Sequence, residues 1–320
     1  MMDRIMNLVF VDADTIGADI DLSGFSEIGN VTVYGYTAES EMPARIREAD
    51  VIIVNKTEVN ARTVGEAPRL KLVCVSATGT NNLDMDFLER RGIAWRNVAG
   101  YSTENVAQHT FALMFALLEK LSYYDDYVKS GKYTLGNSFT HFSNVFHELR
   151  GLTWGIIGLG NIGRRVADIA KIFGCRVIYC STSGRPPQEG YKQTDLDTLL
   201  QTSDIVSVHA PLNEYTLDLM DAEAFHKMKN SAIFINVGRG PIVVEEDLAD
   251  ALERGEIAAA GLDVLRTEPM KADHPLRYFQ DSSRLLITPH IAWASVEART
   301  RLMGMILEQV KEFFGQEYEK

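Results

Sequence analysis

Short apolar runs recur along most of the chain, separated by segments whose apolar residues keep helical spacing. This alternation limits the possible folds more than any other feature. Strand-like runs lie at Asn7–Val11, Val31–Tyr34, Val51–Val54, Leu70–Val75, Thr153–Ile157, Arg176–Cys180, Ile205–His209, Ala232–Asn236, Ala259–Leu262 and Leu285–Thr288. Helix patterns such as Met42–Ala49, Ile162–Phe173, Leu196–Leu200 and Glu246–Arg254 fall between them. Parallel strands need long crossovers, and helical crossovers cover both faces of a sheet. The rhythm therefore predicts an α/β protein with doubly wound, Rossmann-like parallel sheets.

With 320 residues the chain is long enough for two such units. One long helix pattern, Ser102–Lys120, opens on Ser and Thr with Glu104 in its first turn and lies between the two groups of strands. An amphipathic stretch, Val296–Phe314, follows the last strand and would return to the first unit. The expected division is 1–101 with 291–320, and 102–290.

The second unit opens with Thr153-Trp-Gly-Ile-Ile-Gly-Leu-Gly-Asn-Ile-Gly163, a strand followed by G-x-G-x-x-G and a helix. Gly158 permits a tight turn, Gly160 lets the backbone approach a pyrophosphate, and Gly163 lets helix and strand pack closely. Unpaired N–H groups at the helix start then face the phosphates. This context marks a dinucleotide site. An acid that would bind the adenosine ribose is expected after the next strand, yet Ser181, Thr182, Ser183, Gly184 and Arg185 stand there.

Composition narrows the partners. A net charge of −12 argues against nucleic acid or an anionic membrane. No apolar run is long enough to span a bilayer, and the N-terminus reads as a strand rather than a signal peptide. Cys74, Cys175 and Cys180 lie in apolar surroundings without metal-ligand spacing, so no metal site is expected and a reduced compartment is. The expectation is a soluble cytoplasmic protein.

Three further strand ends carry reactive side chains. Arg239 sits between glycines in Asn236-Val-Gly-Arg-Gly240, Asp263 and Glu268 follow Ala259–Leu262, and His290 follows Pro289 in Leu286-Ile-Thr-Pro-His-Ile-Ala-Trp293. Ligands bind at the carboxyl ends of parallel strands, so Arg, Glu and His could converge there.

In this order, GLGNIG, NVGRG, GLDVLRTEP and TPHIAW resemble the D-isomer-specific 2-hydroxyacid dehydrogenases over essentially the whole chain. CVSATGTNNLD and NVAGYSTENVAQHT look closest to the glycerate dehydrogenase and hydroxypyruvate reductase branch. The resemblance implies a discontinuous, flavodoxin-like substrate-binding domain beside the dinucleotide-binding domain, with NAD or NADP as cofactor. It implies that Arg239 binds the substrate's carboxylate and carbonyl, that His290 is the proton donor, and that Glu268 is its partner. Asp263 would hold the nicotinamide carboxamide, and Thr78 and Gly79 would offer backbone N–H groups to the carboxylate. Asn161 and Ile162 match pyrophosphate contacts, and Pro211 and Val237 match contacts near the ribose and nicotinamide. Trp293 would form an apolar wall beside the substrate.

The chemistry agrees with these roles. Reduction of a 2-keto acid sends hydride to C2 while the carbonyl oxygen gains a proton, and a histidine titrating near neutrality suits that donation. A carboxylate beside it favours the imidazolium. An arginine fork can hold a carboxylate by two bonds. A phosphorylated substrate would need cations near the first unit's strand ends, where Lys56 is the only obvious one, so small unphosphorylated acids such as hydroxypyruvate or glyoxylate are expected. The alternatives are a D-lactate or phosphoglycerate type of dehydrogenase, or a non-catalytic dinucleotide sensor resembling a corepressor. With Ser181, Thr182 and Arg185 where an acid would repel a 2′-phosphate, the expectation leans slightly to NADP. The aromatics of Ser130–Leu149 suggest an arm in a homodimer.

Overall fold

A computed structural model describes residues 5–184 and 186–318. The chain divides into two compact units, Met1–Ser102 with Ala294–Lys320, and Thr103–Trp293. Each has its own sheet, and every strand pair among the described residues is parallel.

The first unit runs β1 (Met6–Phe10), β2 (Gly29–Val33), α1 (Met42–Arg45), β3 (Val51–Val54), α2 (Ala61–Val64), β4 (Leu72–Val75), α3 (Met85–Arg90) and β5 (Ala94–Asn97). Its strand order, β2-β1-β3-β4-β5, is the flavodoxin order. β3 and β4 are buried along their whole length, as branched apolar runs in the middle of a parallel sheet must be. The C-terminal helix Val296–Tyr318 closes the unit. It buries Ala298, Leu302, Met303, Ile306 and Val310, a spacing of three and four that makes one apolar face. Gln309 ties the helix to the end of β5 by donating to the Asn97 carbonyl at 2.8 Å.

The strand order reverses between β1 and β3, and a buried acid joins the loops there. Asp12, 5% exposed, accepts the backbone N–H groups of Asn55, Lys56 and Thr57 at 2.7–3.0 Å.

The second unit opens with α4 (Thr103–Leu118) and α5 (Leu121–Lys129). It continues through β6 (Thr153–Ile157), α6 (Asn161–Ile172), β7 (Arg176–Cys180), β8 (Lys192–Gln193), α7 (Leu196–Thr202), β9 (Ile205–Val208), α8 (Ala222–Lys227), β10 (Ile233–Asn236), α9 (Glu245–Arg254), β11 (Ala259–Leu262) and β12 (Leu285–Ile287). The order β12-β11-β10-β9-β6-β7-β8 reverses between β6 and β9. Two apolar clusters cover the two faces. One holds Phe225, Phe234 and Leu248; the other holds Phe111, Met114, Trp154 and Val166. Each such side chain contributes roughly 1.5–3 kcal/mol by leaving water.

Several elements depart from the sequence reading. The helix expected over Met42–Ala49 ends at Arg45, and the one expected over Ser102–Lys120 stops at Leu118. Lys120 takes a left-handed φ of 55°, and α5 then starts in a new direction. β5 and the edge strand β8 lack the apolar runs that mark the other strands. Beyond α5 the chain makes a short turn, Lys132–Leu135, and then runs without regular structure to β6. No helix among the described residues is long and apolar enough to cross a membrane.

Candidate active site

The glycine loop joins β6 to α6 at the point of strand reversal, where open parallel sheets bind ligands. Gly158 has φ +90°, and a Cβ there would lie 2.8 Å from the Ala210 backbone. A Cβ on Gly163 would lie 2.3 Å from the Gly158 carbonyl oxygen. Both positions therefore need glycine. A Cβ on Gly160 would meet nothing within 4 Å, so the space in front of this residue is open. Gly160 caps α6, leaving first-turn N–H groups free of intrahelical partners. Asn161 accepts from the Arg164 guanidinium at 2.7 Å, and Ile162 packs against the core. A bare cradle at a helix N-terminus fits a dinucleotide pyrophosphate.

Around this loop, Ser181 and Thr182 follow β7 and are half-buried, while Arg185 lies outside the described residues. Pro211, after β9, is exposed, and Val237, after β10, is buried. His209, just beyond β9, bonds the Ser207 hydroxyl through Nε2 at 3.0 Å, while its buried Nδ1 has no partner among the described residues. Burial pushes its pKa down to about 3.

The other ligand-facing strand ends are β10, β11 and β12, which are neighbours in the sheet. Arg239 follows β10 on a turn held by Asn236, whose side chain is fully buried. The Asn236 amide oxygen accepts from Gly238 N and its NH₂ donates to the Arg239 carbonyl, both at 3.0 Å. The half-buried Arg239 guanidinium donates to the Gly238 carbonyl at 2.8 Å and forms no ion pair with any described residue. Such a cation is free to take an anion.

Glu268 follows β11 and His290 follows β12, and the structure brings them together: His290 Nδ1 lies 2.7 Å from Glu268 Oε2. The other Glu268 oxygen accepts from Leu265 N at 2.9 Å. The side chains remain 25% and 33% exposed, so the pair can reach a ligand. His290 has φ +56°, a left-handed conformation costing about 1–3 kcal/mol for a residue with a side chain.

The surrounding bonds hold that conformation. His290 N donates to the Asp263 carbonyl at 2.8 Å, and the Trp293 indole donates to the His290 carbonyl at 2.9 Å. The Asp263 carboxylate, 1% exposed, accepts from Ile291 N at 2.9 Å, Ala292 N at 2.8 Å and the Thr288 hydroxyl at 2.6 Å. His109 on α4 bonds Thr288 at 2.9 Å, and burial lowers its pKa against the pull of Asp263. Asn105, also on α4, donates to the Ala292 carbonyl at 2.7 Å. Asp263 and Trp293 thus brace the histidine loop, a task the sequence reading did not give them. These bonds take about three of the four acceptor positions of Asp263.

In the first unit, Thr78 and Gly79 lie on the loop after β4. The Thr78 hydroxyl donates to the Val98 carbonyl at 2.9 Å, and Asn97 donates to the Thr78 carbonyl at 2.6 Å, fixing the loop from both sides. Lys56 follows β3, exposed and without an ion pair among the described residues. Sequence reasoning missed Asn236, Asn105, His109 and Thr288 as supports of the site. The polar run Glu104-Asn105 and His109 inside an apolar helix was the available signal for two of them.

The D-isomer specific 2-hydroxyacid dehydrogenase NAD binding domain matches residues 111–292. A hydroxypyruvate reductase from Blautia hydrogenotrophica is 35% identical, covering 96% of this chain and 97% of the relative. The chain belongs to the D-isomer specific 2-hydroxyacid dehydrogenase family. A glycerate dehydrogenase from Methylorubrum extorquens is also 35% identical, over 96% of this chain and 95% of its own. Among solved structures, an NADPH-dependent glyoxylate/hydroxypyruvate reductase from Sinorhizobium meliloti in complex with NADP and malonate superimposes with a TM-score of 0.81. It is 26% identical, and the match covers 97% of this chain and 94% of that one. Membership makes the chain an NAD(P)-dependent oxidoreductase.

Proposed function

We propose that the protein reduces small, unphosphorylated 2-keto acids to D-2-hydroxy acids, with hydroxypyruvate and glyoxylate the best substrates. The observation that carries this reading is the 2.7 Å His290–Glu268 pair at the strand ends that also present Arg239. Binding alone needs no proton donor, so the pair disfavours a mere dinucleotide sensor. NADH or NADPH, held by the Gly158–Gly163 loop, supplies a hydride when bound. His290 delivers the proton to the carbonyl oxygen, and the Glu268 carboxylate stabilises the imidazolium that does so. Arg239 grips the substrate carboxylate with its fork, and the backbone N–H groups of Thr78 and Gly79 add fixed dipoles. Trp293 gives the site an apolar wall as well as its brace.

Ser181 and Thr182 favour NADPH slightly, since their hydroxyls can donate to a 2′-phosphate and no acid repels it. A homodimer is supported by the segment after α5, where Leu135, Phe139, Phe142 and Val145 are 85%, 89%, 80% and 73% exposed. A patch of that kind is costly to leave in water.

The test is turnover of hydroxypyruvate, glyoxylate, pyruvate and a phosphorylated 3-carbon keto acid with each cofactor, in wild type and Ser181→Asp. The highest kcat/KM is expected for the first two substrates, with the variant shifting preference towards NADH by roughly 10-fold or more, as like-charge repulsion requires. No turnover of any substrate by protein that binds cofactor would overturn the enzyme reading. An unchanged cofactor ratio would remove Ser181 from the specificity.

A further inference from the structure

A second histidine–carboxylate pair lies behind the Glu268 loop. Glu245, the first residue of α9, is 6% exposed, and its Oε2 lies 2.8 Å from Nε2 of His274, 7% exposed. Leu276 N donates to His274 Nδ1 at 3.3 Å, so the ring offers its Nε2–H to the carboxylate. The other Glu245 oxygen accepts from Arg266 N at 2.7 Å. One carboxylate thus clasps both ends of the loop that carries Glu268.

The clasp acts on the peptide next to the reacting pair. Leu265 N donates to Glu268 and Arg266 N donates to Glu245, so consecutive amides end on the two carboxylates. The Leu265–Arg266 peptide also lies flat on Gly240, where a Cβ would come 1.9 Å from the Leu265 carbonyl carbon and 2.4 Å from Arg266 N. This peptide shares the Leu265 Cα with the preceding one, whose Leu265 N–H orients Glu268, so a shift of the first displaces the second. The other charged groups nearby are engaged elsewhere: the Arg266 guanidinium pairs with Asp218, and Asp247 accepts from Ala222 N.

We propose that Glu245 and His274 are positioning residues for Glu268, and through it for proton donation by His290. This rests on the reading of His290–Glu268 as the acid pair. Both act through the chain rather than on a ligand: they fix the peptide that adjoins the amide aiming the Glu268 carboxylate.

The experiment compares pH profiles of keto-acid reduction for Glu245→Gln and His274→Gln, each in wild-type and Glu268→Gln backgrounds. A glutamine at 245 must turn its NH₂ either to the His274 N–H or to Arg266 N–H, so one bond is lost in either orientation. Glu245→Gln is expected to lower kcat about 10-fold, as a small misplacement near the chemistry does. KM for the keto acid should stay within about 2-fold, and the alkaline limb should move to lower pH. His274→Gln keeps a donor to Glu245 and should retain kcat within about 3-fold. In the Glu268→Gln background the Glu245 substitution should add less than about 2-fold, because the group it positions is gone. Should Glu245→Gln not fold, His274→Ala, which keeps the Arg266 contact, takes its place with the same expectations. An equal loss in both backgrounds, or a loss with an unmoved pH limb, would overturn the proposal. An unmoved limb in Glu268→Gln itself would remove the acid-pair reading and this inference with it.

Discussion

The second unit holds two histidine–carboxylate pairs of nearly equal length, 2.7 Å for His290–Glu268 and 2.8 Å for His274–Glu245. The first pair is 25% and 33% exposed, and its histidine is held in a left-handed conformation at a strand end. The second is 7% exposed on both sides, and its free valences end on backbone amides. The same two functional groups are therefore set in different surroundings, and access separates the roles proposed for them. A histidine that is partly exposed can meet a ligand, whereas an enclosed pair can only hold chain segments together.

Single deletions should break the two pairs in opposite ways. His290→Ala should lower turnover by roughly 10²–10⁴-fold, the usual worth of a positioned acid, with cofactor affinity and thermal midpoint little changed. His274→Ala should instead cost stability, on the order of 1–3 kcal/mol, because a buried carboxylate loses a hydrogen-bond donor. Its effect on turnover should be far smaller. Urea unfolding and steady-state rates on both variants check this, and a stable His274→Ala or an active His290→Ala would erase the contrast.

A third histidine, His209, sharpens the comparison because no carboxylate among the described residues pairs with it. Burial pushes the pKa of His209 down to about 3, against 6.5 unperturbed. The folded state keeps the ring neutral while the unfolded chain takes up a proton below pH 6.5. The stability this group allows is full above pH 6.5 and is lost as pH falls towards about 3. At pH 4.5 its share of the loss is on the order of 2 kcal/mol. Wild type should therefore lose more stability between pH 7 and 4.5 than His209→Asn does. Equal losses would show that His209 is not buried in its neutral form.

The two sheets and the residues His290 and Glu268 were legible because they leave local marks. Thr153–Ile157, Arg176–Cys180 and Ala259–Leu262 are apolar runs bounded by turn residues, and each is a strand with those ends. β5, Ala94-Trp-Arg-Asn97, is a partly exposed edge strand whose sequence has no reason to be uniformly apolar. The break at Lys120 is hidden because neither glycine nor proline marks that left-handed residue. His290 and Glu268 could be read from their places at strand ends. Their supports could not, since His109 meets Thr288 across 179 positions and Glu245 meets His274 across 29. Such bonds exist only once the sheet has aligned its strand ends.

The central claim is that Glu268 sustains the acid form of His290 while the keto acid is reduced. Its most direct test is the pH dependence of kcat for hydroxypyruvate reduction in wild type and Glu268→Gln. Turnover should first be shown to slow with deuterated reduced cofactor, so that hydride transfer limits the rate. Loss of the neighbouring negative charge should move the alkaline limb of the profile to lower pH, with kcat reduced even on the acid plateau. Superimposable limbs in the two proteins would contradict the account.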